Sequence, residues 1–559
     1  MELRDLIRKY ALQNAVQFDG IAQAGAVIGK VLTEKPELKN DIRAISRQIV
    51  EIVREVNKLD VGQQKAELEQ IAPQLLEKKK GEKKDLPELK NAVEGHVVTR
   101  LPPEPSKYLH LGHAMSFLIN YMYAKKYKGR CILRFDDTNP KTCSQEYVDS
   151  ILDDFKYLKI IPDETRYVSD DMEQFYSYAE QLLDEGKGYV CICDKDTLTR
   201  NRQSEKACVH RSQNAEQNLK LWQRMKAGKY EEGEAVFRLK IDMSAENQVL
   251  RDPIIFRICY ASHYRQKQKY RAWPMYDFES AVEEHITGVT HILRSNEFGT
   301  MRQELQDYIK DILNLNKQYI REYGRITIKG SVTKGREIRE LIQKGKVSGW
   351  DDPGLVTLKA LRRRGITTEA YYELVKEVGL SPSPTNVDPG VLETINRKIL
   401  DPGTPRYFFV NEPAEITVEN APEQEVEVKR HPSNAELGSR KFKTGSKFYL
   451  ANKDVEGFQE GESIRLAECL NFIKKGGKLI YHSKSHAEFK GTKIIHWLPV
   501  QANMPKVKVL MPDRKEVTGL AEPGVSELKV GDIVQFLRFG FCRLDKAEKG
   551  NYYFWFTHP

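Results

Sequence analysis

Between Val97 and Phe135 the chain changes its hydrophobic period twice, and that change limits the folds open to it. The short apolar run Val97-Val98 leads into a Pro-rich turn, and a His-x-Gly-His unit then opens a long apolar periodicity from Ala114 to Tyr127. Lys128-Gly129-Arg130 interrupts it, and Cys131 to Phe135 reads as a second strand. Strand, helix, strand opens a parallel α/β sheet, whose ligands bind beyond the carboxyl ends of its strands.

One such sheet does not use 559 residues. Hydrophobic cores stop growing near ~250–300 residues, so several domains are expected. Charged residues are 30% and apolar residues 40% of the chain, which excludes a mostly disordered protein. The net charge of +9 suits a polyanionic partner and equally a solvated surface. Residues 1–90 read as a helical extension and linker, with Ile42, Ile45, Ile49, Ile52, Val53 and Val56 at three- and four-residue spacing. The basic run Lys78 to Lys84 suits RNA phosphates or a solvated linker. Residues 91–170 and 271–345 read as two halves of the α/β domain, with 171–270 as an insertion. Arg- and Lys-rich helices fill 346–404, and short β-like runs from Arg406 make 405–559 a β-barrel region. The charged start, Met1 to Tyr10, lacks the apolar stretch of a secretion signal, and no run approaches ~18 apolar residues, so a cytoplasmic location is expected. Eight mostly scattered cysteines suggest thiols or metal ligands rather than a disulfide framework.

The chemistry concentrates in Thr99 to His113. A helix amino end offers free N–H groups and positive partial charge, so a phosphate chain can lie there. Gly112 allows close approach to the backbone, and His110 and His113 can donate hydrogen bonds to charge developing on phosphate. Taken alone, the same unit is also compatible with a structural histidine pair.

The flanks add a resemblance. Arg100 to His113, Arg134-Phe135-Asp136-Asp137-Thr138-Asn139-Pro140, Arg251-Asp252-Pro253, Trp273 to Phe278, Thr290 to Arg294, Gly349 to Pro353 and Leu361 to Gly365 occur in an order that resembles the glutamyl- and glutaminyl-tRNA synthetase family. The likeness spans about residues 95 to 410, and Phe536 to Phe541 resembles the family's last barrel. It implies a class I Rossmann-type catalytic domain, ATP with Mg2+, and a tRNA whose acceptor end meets the insertion and whose anticodon meets the barrels. The helical extension followed by barrels resembles the archaeal and eukaryotic branch, in which the extension can serve multi-synthetase or other protein contacts. By the same resemblance Asp136 holds the substrate ammonium, Tyr276 borders the amino-acid pocket, and Arg100 and Arg294 neutralise carboxylates. Glu104, Gly112 and Arg325 fall at the ATP site.

Arg294 points to glutamate. A pocket for an uncharged amide has no use for another buried cation, whereas a second substrate carboxylate offsets its desolvation. The glutaminyl branch is the nearest alternative, and a non-catalytic RNA-binding homologue is the alternative of another class. Glutamate tRNA is the expected partner, with glutamine tRNA as a second one in a non-discriminating enzyme. The family's mobile loop corresponds to Ser331 to Arg336, but ungapped counting puts Gly335 where the usual lysine stands, leaving Lys334 and Arg336 as the candidates for the triphosphate. Within the insertion, Cys191-Ile192-Cys193 and Cys208-Val209-His210 are separated by fourteen residues. Two such pairs can fill a four-coordinate structural zinc site, as in some bacterial relatives; the alternative is a metal-free loop.

Overall fold

The computed structural model describes residues 3–17, 20–35, 38, 42–75 and 86–559. They fall into two compact units, Met1–Asp85 and Leu86–Pro559. The first contains the helices Leu3–Gln17, Ala24–Glu34, Ile42–Val56 and Val61–Ile71. The expected spacing places Ile45, Ile49, Ile52, Val53 and Val56 in one buried cluster with Leu6, Ile7, Val27 and Leu68. Asp60 and Gln63 cap the fourth helix reciprocally. The basic run Lys78 to Lys84 lies outside the described residues.

In the second unit the strands Val98–Leu101, Arg130–Phe135 and Glu164–Tyr167 form a parallel sheet in that order. His291–Ser295 and Tyr319–Tyr323 form a second parallel pair. Thr290 links the two, its amide donating to the Val98 carbonyl at 3.0 Å and its Oγ1 accepting from the Val98 amide at 2.8 Å. The chain thus builds outward on one side of Val98–Leu101, leaves for the insertion, and returns on the other side. A crevice opens beyond the strand ends where the order reverses. The helix Leu111–Lys126 spans this junction: Thr99 Oγ1 donates to the Asn120 carbonyl at 2.9 Å, and Asn120 Nδ2 donates to the Leu293 carbonyl at 3.0 Å.

The insertion carries the helices Met172–Asp184, Lys195–Gln203 and Ala215–Lys226. They accompany an antiparallel sheet of Gly188–Cys191, Val236–Leu239, Ile254–Ile258 and Ala272–Pro274. Its core is aromatic, with Trp222 meeting Tyr176, Phe237 and Phe256 edge-on at 5.0–5.4 Å. Residues 346–404 contain the helices Leu358–Arg364, Thr368–Val378 and Pro389–Leu400, which share the core of the α/β sheet. Leu358 N donates to Leu109 O at 2.9 Å, and Leu111 N to Val356 O at 3.0 Å, tying this segment to the start of the helix Leu111–Lys126. Ile326–Ile328 and Thr385–Val387 add a parallel bridge.

Two seven-stranded barrel-like sheets follow. The chain first places Arg406–Tyr407 and Phe409–Asn411 in the later sheet, against Ile533–Phe536 and Glu516–Ala521. It then builds the other sheet from residues 413–499 and returns to complete the later one with 506–558. Among the described residues no helix is long and apolar enough to cross a membrane.

Candidate active site

A cavity of about 680 Å³ lies at the crevice, lined by Arg100, Glu104, His110, Gly112, His113, Asp136, Tyr276, Arg294, Arg325 and Lys334. Ten of the residues singled out in sequence therefore converge from segments more than two hundred residues apart. Arg336 is not among them. Its side chain is 89% exposed and pairs with Glu340 on the next turn of the helix Gly335–Gln343. Lys334, the residue before that helix, lines the cavity while pairing with Glu337 at 3.0 Å.

The two histidines cap their own helix. His110 Nδ1 accepts from the Gly112 amide at 3.1 Å, and His113 Nδ1 accepts from the His110 amide at 3.2 Å. A neutral imidazole with an accepting Nδ1 carries its proton on Nε2, so each ring keeps one N–H to donate. Both rings are neutral at pH 7. Burial, helped by Lys107, pulls His110 down to about 4, and burial with His110 and Lys107 holds His113 well below the usual range. Gly112 keeps this turn tight: a Cβ there would come 3.0 Å from the His110 ring, which would have to give way. At Gly335 a Cβ would meet the Cβ of Lys107 at 3.3 Å, so glycine there eases the packing of the Lys107 stem, and Lys107 also lines the cavity. Sequence reading did not select Lys107; its position three residues before His110 was the available signal.

Arg100 and Arg294 stand at the ends of adjacent strands, each side chain 5% exposed. Arg100 Nε lies 3.4 Å from Glu284, which also binds Lys310 at 3.0 Å. Arg294 Nη1 donates to Gln306 at 3.0 Å, while its Nε lies 3.4 Å from Glu322. Arg100 Nε and Arg294 Nε and Nη2 have no hydrogen-bond acceptor among the described residues. Buried donors without partners are costly, and an anionic ligand removes the cost. Tyr276 stacks on Phe298 at 5.6 Å, and burial and Asp136 push its hydroxyl up to about 12. Asp136 also faces the cavity, but buried Arg134 holds both its oxygens, at 2.7 and 3.1 Å. Behind this pair the helix Tyr276–Ile286 turns Glu279, Glu283 and Glu284 inward. Burial pushes Glu283 up to about 8. Only Arg134 of this second tier lay in a motif recognised from sequence.

In the insertion, the four sulfur and nitrogen atoms of Cys191, Cys193, Cys208 and His210 lie within 4.8 Å of one another. The separations include 3.6 Å for Cys191–Cys208 and 3.4 Å for Cys193–His210. Tetrahedral zinc, with bonds of about 2.3 Å to sulfur and 2.0 Å to nitrogen, spaces its ligands roughly 3.5–3.8 Å apart. The donor set and its spacing fit that ion. Asp252 braces the cluster from behind, accepting from Tyr189 Oη at 3.0 Å, Arg211 Nε at 2.8 Å and the Ile241 amide at 2.8 Å.

Residues 96–402 match the family model of the class I (E and Q) tRNA synthetase catalytic domain, and 404–485 and 494–545 match anticodon-binding domains of the same class. The chain is 42% identical over 566 residues to a glutamate–tRNA ligase of Pyrococcus furiosus, covering 98% of each chain. It is 39% identical over 573 residues to one of Nitrosopumilus maritimus, covering 100% of this chain and 99% of that one. A third, from Methanobrevibacter smithii, is 37% identical over 561 residues and covers the whole of both.

Proposed function

The chain belongs to the class I tRNA synthetases of the E and Q type, and we propose that it activates L-glutamate with ATP in this cavity and transfers it to the terminal adenosine of tRNA. The observation that carries the choice of glutamate is Arg294, a buried guanidinium at the cavity wall with two donors unmet. Glutamate brings two carboxylates and one ammonium. Arg100 and Arg294 serve the carboxylates, and the oxygens of Asp136 keep lone pairs beyond the two bonds from Arg134 for the ammonium. A glutamine amide gives Arg294 no counter-charge beyond Glu322, which makes no hydrogen bond to it.

In the first step the α-carboxylate of glutamate attacks the α-phosphorus of ATP, which enters with Mg2+; the aminoacyl adenylate forms and pyrophosphate leaves. The Nε2–H groups of His110 and His113 and the amino end of their helix stabilise charge on the phosphates as it develops. Lys107 and Lys334 lie on the loops that reach the outer phosphates, and Arg325 and Glu104 border the nucleotide. Lys334 is preferred to Arg336 because only Lys334 lines the cavity. In the second step a ribose hydroxyl of the terminal adenosine attacks the adenylate carbonyl and AMP leaves. The barrels bind the anticodon and the insertion binds the acceptor end. Cys191, Cys193, Cys208 and His210 would hold a zinc ion whose contribution is structural, because the protein fills all four positions.

Pyrophosphate exchange measured with glutamate and with glutamine, with and without tRNA, tests the proposal. Exchange that requires glutamate supports it, exchange with glutamine alone selects the glutaminyl alternative, and none in any combination selects a non-catalytic tRNA-binding protein.

A further inference from the structure

We infer that Gln306 is a specificity-determining positioning residue that keeps the charge of Arg294 available to a substrate carboxylate; the inference rests on the role proposed above for Arg294. Gln306 is 1% exposed and stands on the helix Gly299–Ile312, behind the guanidinium as seen from the cavity-lining strand. Its Oε1 accepts from Arg294 Nη1 at 3.0 Å, and its Nε2 donates to Asp277 Oδ1 at 3.3 Å. A guanidinium only donates and a carboxylate only accepts, so the two neighbours fix which end of the amide faces which. The amide thereby anchors one end of Arg294 without contributing any net charge.

That neutrality matters on the opposite edge of the same group. Nε and Nη2 form the side of a guanidinium that grips a carboxylate in a fork, the edge that Arg134 uses on Asp136. In Arg294 both atoms are buried without hydrogen-bond acceptors among the described residues. Glu322, paired with Arg294 in strand register, comes to 3.4 Å of Nε with a buried oxygen but makes no hydrogen bond to it, so it offsets part of the charge without holding the fork. The fork thus has no hydrogen-bonded acceptor, on a residue that lines the cavity. A carboxylate at position 306 would add a second, hydrogen-bonded negative charge beside Glu322, and an arriving substrate carboxylate would meet net repulsion. It would also face Asp277, already raised by burial.

The test uses full-length enzyme with tRNA and compares the parent with Gln306→Met, Gln306→Glu and Arg294→Cys. Glutamate KM, ATP KM and kcat are measured for activation, with thermal unfolding as a check on folding. Gln306→Met, which keeps volume and removes the anchor, should raise the glutamate KM about ten-fold while ATP KM and kcat move little. Gln306→Glu, which keeps the shape and the bond to Arg294, should raise it at least as far. In the Arg294→Cys background Gln306→Met should add almost nothing. A purely structural role would lower the unfolding temperature and shift ATP KM and kcat along with glutamate KM, and that pattern would overturn the inference. An effect of Arg294→Cys with no specific effect of either Gln306 variant overturns the inference alone, whereas an unchanged glutamate KM in Arg294→Cys overturns the Arg294 reading and the inference together.

Discussion

In the insertion, four ligand atoms drawn from Cys191 to His210 already converge within 4.8 Å. In the cavity, Arg100, Asp136, Tyr276, Arg294 and Lys334 come from five separate segments and surround open space. The difference follows from what each site is proposed to hold. A structural ion would stay, so its ligands can sit on short turns that close on a point, and the protein around them, such as Asp252 with three donors, braces that closure. A substrate comes and goes. Its site must hold donors at a distance, aimed but unmet, and the chain supports them through a second tier: Gln306 behind Arg294, Glu284 and Lys310 behind Arg100, and Arg134 behind Asp136.

Substitutions can break this contrast in graded ways. The largest effect is expected for His113→Ala, which removes a donor to developing phosphate charge and one half of the helix cap. Adenylate formation should fall by about 10²–10³-fold while tRNA affinity is unchanged, since the barrels are untouched. Near-normal pyrophosphate exchange would sink the role given to His113. Arg294→Cys comes next. Loss of one partner of a buried charge pair costs on the order of 2–5 kcal/mol, so kcat/KM for glutamate should drop tens- to thousands-fold, and that for glutamine much less. An unchanged ratio between the two amino acids would remove the physical basis for choosing glutamate.

Smaller effects are expected from the preformed cluster, because it is remote from the bonds that change. Protein purified without chelator should carry one zinc by elemental analysis. Cys193→Ser should lose it, and should reduce tRNA charging more than amino-acid activation, if the insertion places the acceptor end as proposed. A metal-free parent protein would leave the four groups as an ordinary thiol and imidazole loop. The smallest change belongs to Arg336→Ala: an exposed pair with Glu340 contributes little, so the KM for ATP should stay within about three-fold of the parent, with Lys334→Ala raising it far more. The reverse order would move the loop's working residue to Arg336.

The sequence alone determined the features whose causes are local. The helix that opens at His110 follows from the switch in hydrophobic period and the His-x-Gly-His start, and its capping needs only residues three apart. The inward face of the helix Ile42–Val56 follows from its three- and four-residue spacing, and the cluster of Cys191, Cys193, Cys208 and His210 from two short pairs with fourteen residues between them. The same reading drew Arg100, Asp136, Tyr276 and Arg294 to one pocket through resemblance, and physical spacing in the sequence gives no reason for it. Only the tertiary structure decided which side of the loop faces the cavity, since Lys334 and Arg336 are chemically alike and differ by the turn at which the helix Gly335–Gln343 begins. Only it brought Gln306 and Glu322 to Arg294, by crossing a helix over a parallel strand pair, and sent the strand Phe409–Asn411 to meet Glu516–Ala521 a hundred residues later. Such contacts rest on the balance of burial and pairing across the whole molecule, and no local pattern of residues carries that balance.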